Sequence, residues 1–434
     1  MKISKYAIIT REVGASPVRI IYSTRTAQLE KISPEQFGFL SSHKFDSIES
    51  GLRRRLCEKE ILVPAEENEL DIILRRNQAA AQDVTTLYFV IQPTANCQFA
   101  CWYCGQEHSN DNLKKDTVEA IIQRIERYLS SHSFKHFAIC WFGGEPLLAA
   151  KQIKQLTEIF LGLCERFSCS YSAKLVTNGF LLSNRVASVL VKECKVSKIE
   201  ITLDGDASTH DKSRVLRKGK PTFNRVFNNV ISLAQSFCNQ VQISLRMNVT
   251  SDNYLAVSPL IAKLASHQLQ NSVTFYLAPV HSWGNNASMG DLTIEQFATL
   301  ELSWLHEMIA FGFRVQILPK RKSVVCLLAI PNSHVIDAFG NQFKCSEISY
   351  VPLYKNNSRY RRPHISEEIG KGDLVEINEF HEGIRQGTFG CSTCSILPVC
   401  GGSCPKEWLD GGRPCPPSKF NIEEKILLLI ASNK

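Results

Sequence analysis

The chain has 434 residues, 44% apolar and 21% charged, with a net charge of +8. This is the makeup of a soluble globular protein large enough for two to four domains. No apolar run approaches the roughly 18 residues a membrane helix needs, and the longest basic run, RRR at 53–55, is too short to indicate a nucleic-acid surface. The N-terminal lysines Lys2 and Lys5 precede no export-type segment, so the cytosol is the expected location. There, 16 cysteines point away from disulfides, because a reducing compartment keeps thiols free for metal or catalysis.

In chain order, residues 1–85 read as a unit. The strand-like YAIIT and VRIIYS precede the helix-like SPEQFGFLSS and SIESGLRRRLCEKE, then ILVP and a helix-like ENELDIILRR. This order predicts a winged-helix-like domain. Such domains bind DNA or peptides, and 13 Lys/Arg against 12 Asp/Glu is too balanced a surface for phosphate binding. NQAAAQDVT reads as a linker.

From 86 to 310 six apolar strand-like runs (LYFVIQ, HFAICWF, AKLVTN, KIEITL, VQISLRMNV and VTFYLAP) alternate with helix-length amphipathic stretches. The fold class is α/β with a parallel sheet, either curled into a partial (β/α)6 barrel or laid out as a doubly wound sheet. In both, chemistry gathers at the C-terminal strand ends. The distinctive motifs follow strands: the Cys97 group, GGEP at 143–146, TNG at 177–179 and LDG at 203–205. Residues 311–434 read as loops and cysteines.

Ten cysteines are grouped. Cys57, Cys140, Cys164, Cys169, Cys194 and Cys238 are scattered and read as small core residues. Cys97, Cys101 and Cys104 form C-x3-C-x2-C with no fourth cysteine in the residues that follow. A [4Fe–4S] cluster normally takes one thiolate per iron, so three thiolates leave one iron open, as catalytic sites do. A zinc site completed by His108 is the alternative from spacing.

The series C-QFA-C-WY-C, GGEP, TNG, ITLDGDASTHDKSR and LRMNV resembles the radical S-adenosylmethionine (SAM) enzymes over residues 87–310. The resemblance implies that the methionyl amine and carboxylate of SAM chelate the open iron. It also implies reductive cleavage to methionine and a 5′-deoxyadenosyl radical that abstracts hydrogen. Tyr103, Gly143, Gly144, Glu145, Asn178, Thr202 and Asp204 would face the cofactor, with Glu145 accepting from its amine. Arg214 would take its carboxylate, with Arg246 and Arg225 as rivals.

Further on, Cys326, Gly340 and Cys345 precede C-x2-C-x5-C-x3-C at Cys391, Cys394, Cys400 and Cys404, and then Cys415. This resembles the SPASM extension of peptide- and protein-modifying radical enzymes. By resemblance Cys391, Cys394, Cys400 and Cys415 hold an outer auxiliary cluster, and Cys326, Cys345 and Cys404 an inner one, both expected to be [4Fe–4S]. His334 is a candidate to close the inner cluster. Zinc ribbons are the alternative.

Within this group, sulfatase-maturing enzymes carry an aspartate directly after the second auxiliary cysteine. Here the residue is Ser346, a poor base, and Glu347 would serve only if its loop were re-aimed. The expected function is therefore maturation of a ribosomal precursor peptide by a thioether, carbon–carbon or ether crosslink. Residues 1–85 would capture the leader by strand addition, and a flavodoxin or ferredoxin would supply electrons. Formylglycine formation is one alternative; a non-catalytic iron–sulfur peptide-binding or electron-transfer protein is another.

Overall fold

The computed structural model describes residues 1–12, 17–82, 85–283, 285, 292–367 and 376–432. In the N-terminal region, Ala7–Ile9, Arg19–Ser23 and Gln28–Ile32 form a three-stranded antiparallel sheet, and Lys2–Ile3 pairs with Leu62–Val63. Helices follow at Pro34–Ser41, Ser50–Glu58 and Glu69–Ala81. The first is started by Ser33, whose side chain accepts from the Gln36 N–H, with proline in the first turn. The strand Gln28–Ile32 escapes the sequence pattern because Gln28, Glu30 and Lys31 interrupt its apolar residues. Glu30 is nonetheless buried, paired with Lys59 at 2.6 Å and Arg55 at 3.2 Å. The expected linker is helical through Ala81, because Asn77 and Ala81 are buried on the face that packs inward; residues 83 and 84 lie outside the described residues.

The centre is a run of six parallel strands: β1 (Thr86–Ile91), β2 (His136–Trp141), β3 (Ser170–Thr177), β4 (Val196–Thr202), β5 (Gln242–Val249) and β6 (Val273–Pro279). Each pairs with its successor in sequence. Doubly wound sheets reverse their strand order at a switch point. An uninterrupted order has no such point, and right-handed crossovers then put all the helices on one face. The architecture is thus the partial (β/α)6 barrel, with helices including Lys115–Ser131, Ala150–Arg166, Phe223–Phe237 and Ile294–Ala310 between or after the strands.

Period-two alternation sorts the strand residues. Leu87, Phe89 and Ile91 of β1 join the large helix-side core with Ile121, Ile125, Phe137 and Phe160, whereas Tyr88 and Val90 face the barrel interior. That interior is not filled with aliphatic side chains: Cys140, Lys174, Glu200, Thr202, Arg246 and Asn248 project into it.

Residues beyond 310 are more regular than expected. β7 (Ser333–Ile336) pairs in parallel with the outer edge of β1, and β8 (Gln342–Phe343) and β9 (Arg361–Arg362) follow antiparallel, making a nine-stranded sheet. The helix Ser418–Ser432 packs on Ile294–Ala310, with Lys425 paired to Glu301 at 2.7 Å and Asn421 donating to the Ala298 carbonyl at 2.7 Å. No helix among the described residues is long and apolar enough to cross a membrane. Of the scattered cysteines, Cys140, Cys164 and Cys194 are buried and Cys169 half-buried. Cys57 and Cys238 are exposed, because each lies at the solvent-facing C-terminal end of a helix.

Candidate active site

The loop after β1 carries Cys97, Cys101 and Cys104 and is fastened on three sides. The Glu145 N–H donates to the Asn96 carbonyl at 2.7 Å, and residues 98–100 pair with 215–217 through Ala100 to Val215 and Arg217 to Gln98, both 2.9 Å. The Glu107 N–H donates to the Tyr350 carbonyl at 2.8 Å. The last contact, with Gln92 to the Ser346 carbonyl at 3.3 Å and Gln106 to the Ser349 carbonyl at 3.2 Å, sets the segment after Cys345 directly on the three-cysteine loop.

Between them lies a cavity of about 570 Å³ at the C-terminal ends of the strands. All three cysteines line it, as do Tyr103, Gly143, Gly144, Asn178, Thr202 and Arg214. Burial pushes the thiols up, Cys97 to about 12 and Cys101 to about 11. Iron has to displace these protons on binding.

Two expected contacts are differently placed. Glu145 is fully buried, and its carboxylate accepts from the Leu147 N–H (3.0 Å), the Thr177 hydroxyl (2.7 Å) and the Asn178 N–H (2.7 Å). It ties the end of β2 to the end of β3 behind the cavity wall. Asp204, also fully buried, accepts from the Tyr103 hydroxyl at 2.5 Å and the Asn248 N–H at 2.9 Å. The glycines have a reason in the protein itself. A Cβ on Gly144 would lie 2.3 Å from the Asn96 carbonyl oxygen, and one on Gly143, at φ +107°, 2.8 Å from Gln92 Cβ. Only glycine lets the β2 loop press on the cysteine loop.

Of the three arginines, Arg225 is exposed and turned outward, with its Nε on the Phe180 carbonyl at 3.0 Å and its guanidinium 4.3 Å from the Phe180 ring centroid. Arg246 lines the cavity and donates to Asn248 at 2.8 Å. Arg214 is 6% exposed, donates to the Tyr103 hydroxyl and lies 3.9 Å from Asp204. Its Nε is buried without a protein partner, a donor that an incoming carboxylate can satisfy. Burial pushes Asp204 up, while Arg214 and then Tyr103 hold it down.

Sequence reasoning missed His210. The Asp204 N–H donates to its Nδ1 (3.1 Å), so its Nε2–H faces Thr222 (3.1 Å), whose hydroxyl donates to the Arg214 carbonyl. Burial, then Arg214, pushes this imidazole well down, keeping it neutral. Also missed were Lys174 and Glu200, paired at 2.8 Å on the cavity floor. Charged residues inside otherwise apolar parallel strands were the available signal.

His334 does not serve the inner cysteines. It points to the helix side of β7, stacked on Phe89 at 4.5 Å and near Tyr128 at 4.8 Å. Val335, the next residue, faces the cluster of side chains that includes Cys345. Glu347 lines the cavity: the turn after Cys345 is aimed so that both Ser346 and Glu347 reach it. Burial pushes the Glu347 carboxyl up, opposed by Arg246.

The remaining cysteines fall into two sets. Cys345 has Cys326 and Cys404 as electrostatic neighbours, and Cys391 has Cys400, Cys394 and Cys415. The latter four surround a small cavity roofed by Trp408. Among the described residues no three His, Cys, Asp or Glu side chains converge on one point closely enough for a single metal ion. Thiolates of a cubane bind separate irons and stand further apart than the four ligands of one zinc.

Residues 91–249 match the sequence model of the Radical SAM superfamily. This chain is a radical SAM enzyme. The chemistry of that superfamily takes S-adenosylmethionine and a [4Fe–4S] cluster as its cofactors. The radical SAM enzyme is 22% identical over 377 residues to a serine-type anaerobic sulfatase-maturating enzyme of Bacteroides thetaiotaomicron, covering 74% of this chain and 83% of the relative. It is 32% identical over 141 residues to an uncharacterised Synechocystis protein, covering 31% of this chain and 34% of the relative. Its fold is similar to that of native anSMEcpe solved with bound AdoMet and the Kp18Cys peptide: TM-score 0.61, 18% identity, 80% of this chain and 99% of that chain.

His108 Nε2 lies 3.8 Å from Cys104 Sγ, while its Nδ1 faces the Ala95 carbonyl at 3.2 Å. Its substitution tests the zinc alternative. His108→Ala is expected to retain the iron of the first site, measured by iron content and electron paramagnetic resonance. Loss of metal, with zinc in the unaltered protein, would mean that His108 is a ligand.

Proposed function

We propose that this radical SAM enzyme is a peptide maturase that crosslinks residues of a ribosomally made precursor peptide. The observation that carries the reading is the shared cavity: the three-cysteine loop forms one wall, and Leu327, Ser346, Glu347 and Val351 from the C-terminal cysteine segment form another. A substrate side chain placed between these walls lies against the three-cysteine loop on one side and, on the other, against the immediate chain neighbours of Cys326 and Cys345.

Cys97, Cys101 and Cys104 hold the [4Fe–4S] cluster in this reading, and its open iron, with SAM bound, supplies a 5′-deoxyadenosyl radical that removes a hydrogen atom from carbon. The protein contributes orientation and exclusion of water. Arg214, fixed by Tyr103 and Asp204, receives the cofactor's carboxylate. Asn178, held by Glu145, lines the wall beside Cys97, with Nδ2 3.9 Å from Sγ. Gly143, Gly144 and Thr202 complete that wall. Cys326, Cys345 and Cys404 hold the inner auxiliary cluster and Cys391, Cys394, Cys400 and Cys415 the outer one, as in SPASM proteins, and a flavodoxin or ferredoxin supplies electrons.

Residues 1–85 are the leader-binding unit. Their three-stranded sheet has Ala7–Ile9 and Gln28–Ile32 at its edges, where an extended peptide adds by main-chain hydrogen bonds.

Glu347 gives a specific ground for a second reading, formylglycine formation, because a carboxylate does face the cavity despite Ser346. The sulfatase-maturating relatives point the same way. Co-expression with a precursor peptide encoded beside its gene separates the two. Crosslinking gives a peptide lighter by two hydrogens per bond, with fragment ions missing between the joined residues and no reaction with hydrazide. A hydrazide-reactive aldehyde at one Cys or Ser would establish the second reading, and an unmodified peptide would refute both.

A further inference from the structure

The outer cysteine set does not stand apart from the N-terminal unit. Cys391 and Cys415 pack with Tyr6, Ile73 and Leu74 in one core. Cys394 and Cys400 pack with Ile20 and Tyr22, across Ile396 and Val399, in a second. The loop between the cysteines is gripped by the same unit: Lys5 Nζ donates to the Ser392 carbonyl at 2.9 Å, and Thr24 Oγ1 reaches both the Tyr6 carbonyl (3.0 Å) and the Ser395 carbonyl (2.7 Å). Tyr6 is fully buried. Its ring packs in one cluster with Cys391 and Cys415, so the contact depends on the shape of the cysteine loop.

Cys391, Cys394, Cys400 and Cys415 surround one small cavity on a segment whose helices, Leu397–Cys400 and Pro405–Leu409, are only four and five residues long, so its shape calls for a further brace. A metal cluster joining them provides that brace, because binding to a site absent from the disordered loop is itself folding free energy. By linkage, whatever fixes the loop favours the docked N-terminal unit, and docking favours the loaded loop by the same factor.

We infer that the outer cluster is a structural keystone: its loading seats the N-terminal unit on the C-terminal cysteine segment, so that this unit is engaged only in iron-loaded enzyme. This rests on the reading of Cys391, Cys394, Cys400 and Cys415 as one cluster's ligands, and the experiment separates the two claims. Anaerobically prepared Cys394→Ala and unaltered enzyme are compared by iron content and by amide hydrogen exchange, with residues 87–91 as internal reference. The expected result is loss of one cluster's iron and at least tenfold faster exchange at residues 6–10 and 20–24, with 87–91 unchanged. Iron lost with N-terminal protection intact overturns the keystone alone, and iron fully retained overturns the ligand assignment with it. Should 87–91 also lose protection, Thr24→Val decides, since it keeps every cysteine. Severalfold faster extraction of the outer cluster's iron by a chelator, with the SAM-binding cluster unaffected, supports the linkage; an unchanged rate overturns it.

Discussion

Replacing Cys101 by alanine is expected to reduce release of 5′-deoxyadenosine from S-adenosylmethionine to the level of a protein-free blank, while the iron held by the C-terminal cysteines stays. Cys101 lines the cavity between Cys97 and Cys104, on a loop fixed to the β2 loop and to residues 215–217. A cubane with two protein thiolates loses the arrangement in which one iron alone is free for the cofactor. Chromatography of the reduced reaction, with iron content and paramagnetic resonance of the same sample, reads both parts. Persisting cleavage in Cys101→Ala would place the radical chemistry elsewhere in the chain.

The second large effect concerns Asp204. Its carboxylate is fully buried, and it and the Tyr103 hydroxyl are the partners of a guanidinium whose side chain is 8% exposed. Asp204→Asn keeps the shape and a hydrogen-bond acceptor but strands the Arg214 charge. Breaking a buried pair from one side costs about 3 kcal/mol, equivalent to a fall of roughly 6–12 °C in the unfolding midpoint of a domain of this size. Calorimetry of the iron-loaded protein measures it. Tyr103→Phe shares this network, so the double variant should lose less than the sum of the two. Additive losses would show that Tyr103 and Asp204 do not act on Arg214 together.

Much of this was legible in the sequence because it is local. The six parallel strands announce themselves as apolar runs, and the cysteine spacings and strand-end motifs survive as short words. What could not be read comes from contacts between distant segments. β7 is only Ser-His-Val-Ile, and its partner is β1, more than two hundred residues earlier. Nothing in its four residues marks His334 as facing the helices. Glu145 reads on paper only as a cofactor contact, and the fold alone shows its carboxylate accepting from Thr177 and Asn178. Arg225 and Arg214 are equivalent on paper, and only the helix Phe223–Phe237 turns the former away. The seating of Tyr6 and Thr24 on the 391–396 loop joins opposite ends of the chain, and Gln28–Ile32 is hidden by the charges that pair it to its own helices.

The strand added to the outer edge of β1 has a kinetic consequence. Cys345 lies two residues beyond β8, which is stitched through β7 to the same strand that ends at the three-cysteine loop. On the proposed ligand assignment the two redox centres are mounted on one continuous sheet, so the distance an electron would cross is set by strand pairing. Turnover that depends on their exchange of an electron should be indifferent to solvent viscosity, with peptide entry and departure the steps that respond.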